Sequence, residues 1–96
     1  MSNNYKAEFP DFGELDVVLP TGFVDTSEWN DVCPSFTLYH ESTSDVRMKL
    51  SVDYADKSLS ELPDTWKRFY LFDSLDEQLF CTDNWAEMAI IINFLR

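Results

Sequence analysis

The chain has 96 residues, enough for one domain, and with 45% hydrophobic residues, 16% aromatics and only two glycines it has the composition of an ordered globular protein rather than an acidic tail. Eighteen acidic against seven basic residues set the net charge at −11. Such a field repels phosphate backbones and anionic membranes, so direct binding of nucleic acid or lipid is disfavoured and a basic protein surface is the favoured partner.

Met1 to Phe9 shows no apolar run behind a basic segment, and no stretch reaches membrane-spanning length. Neither a leader nor an anchor is expected, and the cytoplasm is the expected compartment. Residues 1–13, with Pro10 and Gly13, read as irregular, with Tyr5, Phe9 and Phe12 free to anchor them to the body. Glu14 to Leu19 alternates as a short strand that Pro20, Thr21 and Gly22 end in a turn.

In the stretch from Gly22 to Ser35, Asp25 or Thr26 is placed to cap a short helical turn that Pro34 stops. Ser35 to His40 is expected as a strand, followed by a polar turn over Glu41 to Asp45. The longest regular signal is Val46 to Tyr54, where Val46, Met48, Leu50, Val52 and Tyr54 alternate with Arg47, Lys49, Ser51 and Asp53. That period asks for an antiparallel sheet with one covered face. Asp56 to Thr65 reads as a loop, and Lys67 to Phe72 with Glu77 to Thr82 as a second hairpin around Asp73 to Asp76.

Asn84, with Glu87 three residues on, is a capping signal for a final helix from Trp85 to Leu95. Trp85, Met88, Ala89, Ile92 and Leu95 form one stripe, with Ile91 at its edge, suited to covering the sheet. Ile90 and Phe94 point away from that stripe. Cover by the N-terminal aromatics is expected for them, the alternative being an interface, such as a homodimer. The expected fold is therefore a single α+β domain over residues 1–96: an antiparallel sheet of four to five strands, covered on one face by the C-terminal helix.

The acid is unevenly spread. Residues 1–31 carry net −6, residues 32–72 net −1 and residues 73–96 net −4. The candidate contact residues are Asp11, Glu14, Asp16, Asp25, Glu28, Asp31, Asp73, Asp76 and Glu77, with Trp29 as an aromatic anchor among them. If the two ends of the chain meet, they form one strongly negative face, able to occupy a channel built for phosphates. Reversing Asp25, Glu28 and Asp31 to lysine is then expected to weaken binding without unfolding the domain.

Catalytic and metal chemistry find little support. Asp25 to Phe36 fails as a calcium loop, with Trp29 in its fifth place, Asn30 in its sixth and Phe36 in its twelfth. His40, Cys33 and Cys81 supply at most three zinc ligands at no recognised spacing, and the two cysteines read as buried thiols. No metal, cofactor or catalytic residue is expected. Trp29 and Trp66 fall in expected loops.

As a type, a chain this short and acidic, with a small sheet closed by a helix, resembles the anti-CRISPR proteins of phages and mobile elements. The block Asp25-Thr-Ser-Glu-Trp-Asn-Asp-Val-Cys-Pro-Ser-Phe36 is similar to stretches in small phage-related proteins. The resemblance implies a stoichiometric inhibitor acting in the bacterial host cytoplasm. It would bind a Cas subunit of a crRNA-guided surveillance complex and block target DNA. The other binding reading is an antitoxin or immunity protein that plugs the basic active site of a nuclease.

Overall fold

A computed structural model describes residues 4–28, 33–55 and 67–96. Five strands, β1 (Phe23–Asp25), β2 (Ser35–Tyr39), β3 (Val46–Val52), β4 (Phe69–Phe72) and β5 (Gln78–Thr82), form one antiparallel meander in which strand order equals chain order. A short helix α1 (Asn4–Glu8) precedes them and α2 (Trp85–Leu95) follows.

The alternation in β3 determines the faces. Met48, Leu50 and Val52 are buried, and the register carries their row across the sheet: Leu50 pairs with Phe36 on one side and Leu71 on the other, and Leu71 pairs with Phe80. Met88 and Ile92 of α2 close this face, both fully buried, and the Trp85 ring lies 5.1 Å from that of Phe69. The helix enters beside β5 and ends near Thr21, where the Arg96 guanidinium donates to the Thr21 carbonyl at 2.7 Å.

The rest of the cover comes from the N-terminal segment. Tyr5 and Phe9 are buried, Tyr5 meets Phe36 edge-on at 6.0 Å, and Phe12 meets Tyr54 at 5.2 Å. Here the structure departs from the strand expected over Glu14 to Leu19. Leu15, Val17 and Leu19 pack on the core as their alternation demands, but the segment is irregular. It lies over the sheet instead of within it. Asp25, expected with Thr26 as a cap for a short helical turn, instead ends β1, where Phe23 to Asp25 finds a ladder with Leu38 to Phe36; residues 26–28 are not helical, and the rest of the expected turn, 29–32, lies outside the described residues. The loop expected at 56–65, Trp66 and the stretch 29–32 lie outside the described residues.

Both hairpins fall where expected. Asp73 organises the β4–β5 turn, its carboxylate accepting from the amides of Leu75 and Glu77 at 2.8 and 2.9 Å, with Asp76 at a φ of 63°. Gly22 has a φ of 99°, a backbone conformation that favours glycine, and a Cβ there would stand 2.8 Å from Leu38 Cδ1 and oblige that side chain to shift.

The start of α2 differs from the expected capping box in one arm. The Asn84 side chain accepts from the Glu87 amide at 3.1 Å, but the Glu87 carboxylate accepts from the Thr82 hydroxyl at 2.6 Å, and Thr82 Oγ1 accepts from the Asn84 amide at 3.1 Å. Thr82 relays what a direct bond would do. Asn84→Ala is expected to cost about 1 kcal/mol and to lower the thermal midpoint by about 4–8 °C, read by circular dichroism.

Candidate functional site

The acidic residues that the sequence nominates separate into groups with different work. Asp25 is half-buried and structural. Its carboxylate accepts from the Tyr5 amide at 2.9 Å, at the start of α1, and from the Ser27 amide at 3.0 Å. Removing it leaves two amides without their acceptor, so Asp25→Ala is expected to lose about 1–3 kcal/mol in urea unfolding. The expectation that Asp25 tolerates reversal to lysine is corrected on the same ground.

Asp11, Glu14 and Asp16 also have partners within the chain. Asp11 accepts from the Tyr54 hydroxyl at 2.8 Å, and Glu14 pairs with Lys6 at 2.9 Å. Asp16 takes both arms of the Arg68 guanidinium at 3.0 and 2.6 Å, while Arg68 Nε donates to the Asp53 carbonyl at 3.0 Å. Burial, and then the Asp11 carboxylate, push the Tyr54 hydroxyl well above its ordinary range.

The Arg68 hydrogen bonds hold the Asp16 carboxyl below its usual value of 3.8. A carboxyl depressed on folding contributes stability above its unfolded value and loses it as pH falls through the folded one. The Asp16 side chain is 54% exposed, so the contribution is held to under about 1 kcal/mol. Asp16→Asn is therefore expected to lower the urea midpoint slightly at neutral pH, with the deficit disappearing below the depressed value.

Asp73, Asp76 and Glu77 occupy the β4–β5 turn, and Asp73 is spent on organising it. Among the described residues Glu28 and Asp76 come together, lining with Lys49 a shallow pocket of about 280 Å³ on the face of the sheet away from α2. Asp11 and Asp16 sit at the other end, where β3 finishes and β4 begins. Along the strands the two groups stand on the order of 15 Å apart. Glu28 and Asp76, from the two acidic ends of the chain, thus line one pocket, and among the described residues the nominated acids do not gather into a single face. Trp29 and Asp31 lie outside the described residues.

The second element singled out by pattern, the off-stripe pair on α2, is exposed: Ile90 by 68% and Phe94 by 84%. Cover by residues 4–13, the described part of the N-terminal segment, is not what the structure has, because Tyr5 and Phe9 are committed to the core. Four residues apart, Ile90 and Phe94 share one side of the helix with Ala86, and exposed Glu87 and Asp83 lie towards its N-terminal end. No basic residue stands on α2. Leu95, expected within the covered stripe, is also exposed.

Cys33 is a buried thiol and Cys81 a half-buried one. Among the described residues no group of three or more histidine, cysteine, aspartate or glutamate side chains is placed to hold a metal ion, and no helix is long and apolar enough to cross a membrane. Compared with known proteins, the chain matches no family model, no curated protein and no solved structure.

Proposed function

We propose that the protein is a non-catalytic inhibitor that binds a basic nucleic-acid-binding surface of a partner protein and blocks access to it. The observation that carries this reading is the exposed apolar pair Ile90 and Phe94 on a domain of net charge −11. An exposed aromatic costs solubility unless something covers it, and a Phe and an Ile one turn apart are the usual anchors of a helix in a groove. The field around them favours a positively charged partner and disfavours a second copy of the same chain.

In this reading the two features divide the work. The apolar pair provides affinity, while carboxylates without a partner among the described residues, Glu28, Asp76 and Glu77, steer the encounter. A Cas subunit of a crRNA-guided surveillance complex in a bacterial cytoplasm is the partner that the anti-CRISPR resemblance implies. Capture of such a complex by the tagged protein, followed by competition with target DNA at two salt concentrations, tests the proposal. Loss of DNA binding that weakens at high salt supports it; a captured complex that still binds its DNA overturns it. Capture of a nuclease instead would favour the immunity-protein reading.

A further inference from the structure

A meander leaves its first and last strands as edges, and the two edges of this sheet are built differently. β1 has three residues and ends on Asp25, so a strand from outside would find little ladder along it. β5 has five residues, Gln78 to Thr82, with neither a charge nor a proline among them. Its partner is β4, and among the described residues no strand lies on its other side. The backbone groups of an antiparallel strand turn alternately to one neighbour and the other, so the outer edge of β5 has N–H and C=O groups that no described strand takes up. Met88 and Ile92 place α2 over the face of the sheet, while Gln78 and Leu79, at the end of β5 away from the start of the helix, are exposed.

Charge is arranged around this edge rather than on it. Asp76 and Glu77 precede β5 and Asp83 follows it, all three exposed and without a cation in ion-pair distance among the described residues. From Asp73 to Leu95 the sequence has no lysine, arginine or histidine. A second copy of β5 laid antiparallel along this edge would set Asp83 of one chain near Asp76 and Glu77 of the other, like charge against like, and a parallel copy would set each acid beside its own counterpart. The register shift in the β4–β5 ladder leaves Leu79 without a cross-strand partner. Such a bulge adds local twist, which a single extended segment can follow and a second flat sheet cannot.

We propose that the outer edge of β5 accepts an extended segment of a partner protein by strand addition, the segment being a short uncharged stretch with a basic residue at each end. Main-chain hydrogen bonds supply most of the affinity, the exposed Leu79 side chain adds an apolar contact, and the acids at the two ends select the segment. Glu77 and Asp83 are six residues apart, on the order of 20 Å along a strand, so basic residues at about that separation fit best. This goes beyond the inhibitor reading, since it needs neither Ile90 nor Phe94 nor a nucleic-acid-binding partner.

The test is an NMR titration of the full chain with the peptide acetyl-Lys-Arg-Val-Thr-Val-Thr-Val-Arg-Lys-amide. One control has glutamate at each basic position; the other is N-methylated throughout its central Val-Thr-Val-Thr-Val, which retains the charge and removes the main-chain donors. Saturable shifts at the Leu79, Phe80 and Cys81 amides are expected with the first peptide and with neither control. Glu77→Gln combined with Asp83→Asn, both at exposed positions, is expected to weaken that binding about fivefold without unfolding the domain. Shifts that are absent from β5, equal with either control, or undiminished in the double variant overturn the proposal. Concentration-dependent shifts of the same amides without peptide would show that a second copy takes the edge, and overturn it too.

Discussion

Leu50→Ala lowers the unfolding free energy by about 3 kcal/mol, within the span of about 2–5 kcal/mol found for buried leucines, and the melting temperature by about 12–24 °C. Leu50 is fully buried at the middle of the central strand, paired with Phe36 and Leu71 and roofed by α2. Neither strand neighbour can follow the missing isopropyl group without leaving its own ladder, so a cavity remains. Lys49→Ala, one residue away on the opposite face, should change stability by no more than about 0.5 kcal/mol. Urea unfolding of the two variants checks the facing of β3 directly. Similar losses in both would mean that the core is not on the α2 side.

Phe94→Asp, with or without Ile90→Asp, is expected to abolish capture of the partner, or to weaken it at least about 30-fold, while the melting temperature stays level or rises. The magnitude is that of losing a hot-spot aromatic, about 2 kcal/mol or more. The absence of a stability cost follows from the 84% exposure of Phe94 in the unbound protein. Reversal of Glu28, Asp76 and Glu77 to lysine should act differently, slowing association and flattening its salt dependence with a smaller change in dissociation. Surface plasmon resonance on both sets separates anchor from steering. An unaltered dissociation rate in Phe94→Asp would remove α2 from the interface.

How much of this was legible follows from the distance over which each signal acts. The β3 alternation, the two hairpins and α2 with its Asn84 cap are encoded by neighbours within a few residues, and the structure has them within two residues of their expected ends. A five-residue helix such as α1 has no comparable local signal. The amide of Tyr5, in its first turn, finds its acceptor in Asp25, twenty residues on. β1 is three residues long and exists by pairing with β2, so the polar sequence around Asp25 reads more readily as a capped turn.

The site residues follow the same logic. That Asp16 is held by Arg68 depends on a contact across 52 positions. Charge counting ranks all eighteen acids alike, whereas the fold uses some of them as internal ligands. The off-stripe placement of Ile90 and Phe94 was visible from helical spacing alone. Their exposure was not, because the aromatics of the N-terminal segment had two apolar surfaces to choose between.

The order of the strands has a consequence for how the chain acquires its shape. Each strand pairs only with its neighbours in sequence, so no strand waits for a distant partner, and the two tight hairpins, β2–β3 and β4–β5, are the contacts that form most readily. The apolar row of Phe36, Leu50 and Leu71, however, stays partly uncovered until residues 85–95 arrive to lay Met88 and Ile92 upon it. Until α2 docks, like charge between copies is what opposes association through that row, a second use for the acid that precedes any encounter with a partner.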